Sequence, residues 1–321
     1  MIGIKDVAKK AGVSPSTVSN VINGRTNVGE KTKERVQRVM QDLHYEPNII
    51  GKTLKTGSSR TIMFSFSDFE RKFYLSIIRG ISEYVKLKDY DLIICTNKST
   101  DKFMNRAFTN GCILLDRRTP DSFLIKKANK NYPIVVMDRI MEVPNIKSVV
   151  VNNYASERAL VQGLVDLKYK NFAFLGGFES EDNRERFRAF SDVLKENNIP
   201  FKKDHYYDGD YTGKSGYQMA RLIMLSEHRP DVLVCANDEM AMGAIRAFRE
   251  NGIKVPEDIA VCGFDDTETA KMMGITTVDV PNYERGYLAA QCLVEMIEGS
   301  KNFDPFLINS NVKWRSTTLI P

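Results

Sequence analysis

Between Ile4 and Leu43 the apolar residues fall at helical spacing in three short blocks. Ile4, Val7, Ala8 and Ala11 recur three or four positions apart, which predicts a first amphipathic helix. Gly12 ends it, because glycine takes the left-handed conformation at a helix C-terminus without steric cost. Ser14 then offers an N-cap oxygen, and Pro15 occupies the first helical position, where a missing N–H is harmless. Val18, Val21 and Ile22 give the second helix its inner face. Lys31 to His44 forms a third helix, with Val36, Val39, Met40 and Leu43 on one side. Two short helices joined by a tight glycine turn make a helix-turn-helix, whose second helix can enter a DNA major groove. At this stage an ordinary helical hairpin fits the pattern as well.

After a joint of small and polar residues, Thr56-Gly57-Ser58-Ser59, the pattern changes. Short unbroken apolar runs alternate with helical stretches. The first set of strand candidates is Ile62–Phe66, Leu92–Cys95, Cys112–Leu115, Ile134–Met137 and Val149–Val151. The second is Phe172–Leu175, Val232–Cys235, Ile259–Cys262 and Thr276–Val278. Helices are expected at Tyr74–Leu87, Ser156–Leu167, Arg186–Glu196, Gly216–Leu225, Met240–Glu250 and Glu284–Glu298. Apolar strands alternating with helices predict parallel sheets covered on both faces, and two successive sets predict two such lobes. No solenoid period repeats along the series.

Composition fits a small module followed by a two-lobed core: 321 residues, 42% hydrophobic and 27% charged. No apolar run reaches a membrane span and no signal-peptide core opens the chain, so a cytoplasmic protein is expected. Charge placement adds more. Residues 1–59 hold ten Lys/Arg against five Asp/Glu, while the remainder holds 36 of each, so the whole excess of +5 lies in the helical module. Neutralising phosphates requires a localised basic surface of this kind. The five cysteines are widely spaced, mostly within apolar runs, and no pair has zinc-ligand spacing, so they read as reduced core residues. Neither a metal nor another cofactor is expected.

The first module reads Ile4-Lys5-Asp6-Val7-Ala8, Val13-Ser14, Thr17-Val18-Ser19, Val21, Asn23, Tyr45-x-Pro47-Asn48 and Leu54. On these residues the chain resembles the LacI/GalR family of bacterial transcription regulators. In the core the resemblance rests on Phe73-Tyr74, Arg79-Gly80-Ile81, Val136-Met137-Asp138-Arg139, Gly209-Asp210-Tyr211, Ser215-Gly216-Tyr217, Ala236 to Ala244, Val255 to Ile259, Gly263 to Asp266 and Arg315-Ser316-Thr317. It covers nearly the full length. It implies an α/β fold: a three-helix headpiece over 1–46, a hinge over 47–57, and a core over 58–321 like a periplasmic sugar-binding protein. Lobe 1 would comprise about 60–150 and 283–308, and lobe 2 about 151–282 and 309–321. The three crossovers are expected near Val151, Pro281 and Asn309.

The resemblance also nominates site residues. Base contacts would come from Pro15, Ser16 and Asn20, with Thr17 and Ser19 on phosphates and Ser14 and Asn23 on the same surface. Asn20 is suited to a bidentate pair with adenine, whereas Ser16 does not discriminate. Leu54 matches the family's hinge leucine, an apolar wedge between base steps, and Lys55 would lie in the minor groove. Gly51 and Lys52 depart from the usual alanine and arginine. Glycine costs a helix up to ~1 kcal/mol relative to alanine, so the hinge helix should be less stable off DNA.

The effector cleft lies between the lobes, at the strand C-termini. Arg186 and Asp265 would clamp the ligand, Arg donating and Asp accepting. Asp138 with Arg139, and Asn237, each follow an apolar strand. Phe73, Tyr74 and Tyr211 offer aromatic faces for a sugar. Two departures weaken any inference about the ligand: Arg71-Lys72 replaces a common Asn-Pro, and the stretch Asn97–Gly111 is several residues shorter than usual. Gly213-Lys214-Ser215 fails Walker spacing because Asp208 stands where glycine is required, and Gly176-Gly177 lacks the dinucleotide fingerprint. No nucleophilic triad appears, so an enzyme is not expected. The implied function is ligand-controlled repression by a homodimer on operator DNA, with a sugar or sugar derivative as effector. The alternative is a solute-binding protein of the periplasmic type without a DNA role.

Overall fold

The structure, a computed structural model, describes residues 2–25, 27–46, 59–67, 71 and 73–319. The expected hinge, with Gly51, Lys52, Leu54 and Lys55, lies outside them. The chain divides into two compact units, Met1–Ser59 and Arg60–Pro321.

In the first unit α1 (Ile4–Ala11), α2 (Pro15–Ile22) and α3 (Glu30–Asp42) enclose a small core. Val7, Ala8, Ala11, Val18, Val21, Val36 and Val39 fill it, with Tyr45 packed against its edge. Gly12 takes the left-handed conformation, φ 65°, that the sharp exit from α1 requires. Ser14 caps α2, its side chain accepting from the Thr17 N–H at 3.1 Å. Ser14→Ala should therefore destabilise the headpiece by about 1 kcal/mol, read by urea denaturation of residues 1–59.

The second unit holds two parallel-sheet lobes. Lobe 1 comprises β1 (Thr61–Phe66), α4 (Tyr74–Leu87), β2 (Asp91–Thr96), α5 (Lys98–Phe103), β3 (Gly111–Leu115), α6 (Asp121–Ala128), β4 (Ile134–Val136) and β5 (Ile146–Val151). Lobe 2 continues with α7 (Asn153–Asp166), β6 (Phe172–Gly176), α8 (Glu181–Glu196), β7 (Tyr206–Asp208), α9 (Gly213–Met224), β8 (Val232–Cys235), α10 (Asp238–Glu250), β9 (Ala260–Phe264), α11 (Glu268–Met273) and β10 (Thr276–Asp279). The chain then runs through α12 (Asn282–Ile297), β11 (Phe306–Ile308) and β12 (Asn311–Lys313). Among the described residues the sheet orders are β11-β5-β4-β3-β1-β2 and β12-β10-β9-β8-β6-β7, parallel except for β10 with β12. The inner strands are buried along most or all of their length because helices cover both faces.

Three passages join the lobes: β5 into α7, β10 into α12, and β11 into β12. The second is anchored tightly. A methyl group added at Gly80 of α4 would meet the Tyr283 carbonyl, and one at Gly286 of α12 would meet the Ile77 carbonyl. The two helix backbones thus touch, and α12 is fixed to lobe 1 at the turn that follows the crossover.

Several expected boundaries shift. Helix α8 begins at Glu181 rather than Arg186, because Ser180 caps it by accepting from the Asn183 N–H at 3.1 Å. Strand β9 runs on through Gly263 and Phe264, past the expected end at Cys262. The shortened stretch after β2 retains only the six-residue helix α5.

Candidate functional site

Two surfaces carry the chemistry that the sequence nominated. On the headpiece, Pro15 and Ser16 stand exposed at the N-terminal end of α2, with Thr17, Ser19 and Asn20 half-buried behind them. The Ser14 hydroxyl lies 2.7 Å from that of Ser16 and 2.9 Å from that of Thr17. Asn23 folds back, donating to the Ser19 carbonyl at 2.8 Å. Ser14 and Asn23 therefore also hold the two ends of α2, which orients the face between them. No acidic residue lies in the first turn of α2, so nothing there offsets its positive N-terminal dipole.

The second surface is a cavity of about 300 Å³ between the lobes. It opens at the C-terminal ends of the strands, where doubly wound sheets leave loops free. Of the eight nominated effector residues, seven line it: Phe73, Tyr74, Asp138, Arg186, Tyr211, Asn237 and Asp265. Arg139 does not. Its guanidinium turns away, clamping both oxygens of Asp138 at 3.0 and 3.1 Å, pairing with Asp121 at 2.6 Å and donating to the carbonyls of Thr119 and Asp116. It holds Asp138 in place and has no group left to offer a ligand.

Arg186 is buried on lobe 2. Its Nε donates to Asn153 at 2.9 Å, one terminal nitrogen donates to the Ala236 carbonyl, and its plane lies 3.5 Å over the Phe264 ring. Asp265 follows β9 with φ 117°, a conformation non-glycine residues rarely hold, and its N–H donates to the Val278 carbonyl at 2.9 Å. Burial pushes its carboxyl up to about 6, against the pull of Arg186, Arg71 and Arg285. Asn237 caps α10 through the Met240 N–H and donates to the Tyr211 carbonyl at 3.0 Å. Tyr211, also in the left-handed region at φ 67°, sets its hydroxyl 3.2 Å from Ser180. Gly177 lies directly beneath the Tyr211 ring, where any side chain would collide. The glycine pair therefore makes room for an aromatic wall.

Sequence reasoning missed several lining residues. Phe178 meets Tyr211 edge-on at 4.9 Å, and Arg71 from lobe 1 lies 5.1 Å over each of these two lobe 2 rings. Arg71 is one of the departures noted above, and here it spans the cleft. Arg117, Asp182 and Arg285 also line the cavity. Arg285 carried a usable signal: a basic residue directly before the apolar run of its helix and directly after a lobe crossover.

Residues 3–48 match the family described as bacterial regulatory proteins, lacI family, and 161–318 match the periplasmic binding protein-like domain. The HTH-type transcriptional repressor PurR of Yersinia pestis is 32% identical over 326 residues, covering 98% of this chain and 95% of that protein. The chain belongs to the LacI/GalR family of bacterial transcription regulators. It is a DNA-binding repressor of that family. Among solved LacI-family structures, the Lac repressor dimer bound to operator and the anti-inducer ONPF superposes with a TM-score of 0.81 at 27% identity, covering 99% of both chains. The transcriptional regulator CelR in complex with cellobiose gives 0.73 at 25% identity, covering 99% of this chain and 100% of that one.

Proposed function

We propose that this repressor binds a near-palindromic operator as a homodimer, and that a small polyhydroxylated ligand, a sugar or sugar derivative, sets its operator affinity from the inter-lobe cleft. One observation carries the ligand part. Both lobes line a single cavity that combines aromatic walls with a buried Arg186 and a half-buried Asp265. Tyr74, Phe178 and Tyr211 suit the apolar face of a sugar ring, while Arg186 donates to hydroxyls and Asp265 accepts from them. The complexes of Lac repressor with ONPF and of CelR with cellobiose support the same reading.

In this proposal Pro15, Ser16 and Asn20 read bases, Thr17, Ser19 and the neighbouring basic residues hold phosphates, and Leu54 with Lys55 enters the minor groove. Two-fold symmetry of the dimer matches two half-sites. A ligand with different affinity for open and closed lobes shifts their balance, and operator affinity with it. The protein acts in the cytoplasm, where the DNA is. The test is retention on DNA or heparin with and without residues 1–57, followed by operator binding with each sugar that raises the melting temperature. Retention that survives the truncation would remove the headpiece as the DNA-binding surface, and a full chain that is not retained would favour the periplasmic type of solute-binding protein. A full panel of sugars without effect on operator affinity would remove the sugar from the proposal.

A further inference from the structure

The charges of the cleft do not cancel. Asp116 pairs with Arg118 at 3.3 Å, and Asp138 is taken by Arg139 at 3.0 Å. Once these pairs are set aside, Arg71, Arg117, Arg186 and Arg285 face Asp182 and Asp265. Asp182 already accepts from Asn153 at 3.0 Å.

Arg285 is the sharpest case. It projects from the first turn of α12 with 7% of its surface exposed. One terminal nitrogen donates to the Met137 carbonyl, and its Nε has no hydrogen-bond partner among the described residues. No carboxylate among the described residues lies within ion-pair distance of it. A guanidinium has five donors, and a buried one left unmatched, as Nε is here, is costly. Burial accordingly pulls its pKa below the usual arginine value. Surface arginines often lack partners without consequence, but this one lines a ligand-sized cavity. Arg117, from lobe 1, is exposed at the same cavity, also without an ion pair among the described residues.

Building on the proposed effector role of the cleft, we infer that its ligand carries a compact anionic group, a phosphate or a carboxylate, seated on Arg285 and flanked by Arg117. The hydroxyls of a neutral sugar satisfy the Arg186–Asp265 side of the cavity and leave Arg285 uncompensated. A planar carboxylate or a phosphate accepts two parallel N–H bonds from one guanidinium. A cavity of about 300 Å³ holds a single sugar ring with one such substituent, and the reading therefore points to a sugar phosphate or a sugar acid.

The experiment uses the full chain in titration calorimetry and thermal shift. The probes are hexoses and pentoses, each as neutral sugar, phosphate ester and uronic or aldonic acid, together with inorganic phosphate. At least one acidic form should bind tenfold or more tighter than its neutral parent, and whether esters or acids do so identifies the group. Arg285→Gln should erase that preference. Arg285→Lys, which keeps the charge but not the fork, should retain part of it. Arg117→Gln, at an exposed position that leaves the core intact, should lower it several-fold. Neutral sugars that bind as well as their acidic forms, with no change in Arg285→Gln, overturn the inference and leave the proposed sugar effector standing. If no sugar binds but phosphate raises the melting temperature of the wild type and not of Arg285→Gln, the anion site stands and the sugar reading falls. No difference between wild type and Arg285→Gln toward any anion overturns it as well.

Discussion

Asp265→Asn and Arg186→Ala should each lower ligand affinity by roughly tenfold to a hundredfold while leaving operator affinity without ligand nearly unchanged. Hydrogen bonds to charged groups are worth ~1.5–3 kcal/mol each, and every 1.4 kcal/mol is tenfold. Asp265 is the cleaner of the two. Its carboxyl faces the cavity, its backbone is held by the Val278 carbonyl, and asparagine keeps its shape and tolerates left-handed backbone better than most residues. Arg186→Ala also releases Asn153 and the Ala236 carbonyl, so part of its effect is a lower melting temperature. The loss of affinity is therefore read at a temperature where both variants are folded. The Asp265 carboxyl titrates near 6, so a ligand that donates to the carboxylate should bind the wild type more weakly as pH falls through 6. Asp265→Asn should lose that dependence. Operator-release curves that match the wild type at every ligand concentration, in both variants, would place the sensor outside this cleft. Loss of operator binding by both variants without ligand would make the two residues structural.

The order of elements was legible because long buried runs announce themselves. Tyr74–Leu87 and Val232–Cys235 fall where periodicity put them. The strands Tyr206–Asp208, Phe306–Ile308 and Asn311–Lys313 were not legible. Each has three residues, lies at or near a sheet edge and is only partly buried, so no apolar run marks it. The start of α8 was hidden for a related reason: Glu181-Asp182-Asn183-Arg184 is polar and is set by the Ser180 cap rather than by an apolar face.

The cleft shows a different limit. The rule that ligands gather at strand C-termini correctly brings Asp138, Asn237 and Asp265 to the cavity, but it fixes only where a backbone arrives. Arg139 arrives with Asp138 and points away, its donors taken by Asp138, Asp121 and two carbonyls. Arg285 is brought in by a helix, to which the strand rule does not apply. The pairing pattern that singles it out exists only in three dimensions.

Glu157 should make the wild type lose stability, relative to Glu157→Gln, as pH rises from about 5 to 8. It sits on α7 with 1% of its surface exposed, and neither carboxyl oxygen has a hydrogen-bond partner among the described residues. Burial pushes its pKa from 4.5 to about 8, with Arg186 pulling the other way. The folded protein therefore keeps a proton that the unfolded chain releases near 4.5. Over that window the folded state binds more protons than the unfolded state, so stability falls with rising pH, by about 1.4 kcal/mol per unit. By pH 7 the accumulated cost is roughly 3 kcal/mol. Glutamine has nearly the same shape and does not titrate, so it removes the slope while keeping the packing. Urea denaturation at pH 5, 6, 7 and 8 should show the variant close to the wild type at pH 5 and progressively more stable above it. Asp238 and Asp265, also pushed up by burial, contribute the same slope to both proteins and drop out of the difference. A difference that stays flat across the four pH values would mean that Glu157 is ionised in the folded protein, with Arg186 as its counter-ion. Arg186 would then reach the ligand already neutralised, and the positive excess of the cleft would rest on Arg285 and the arginines at its mouth.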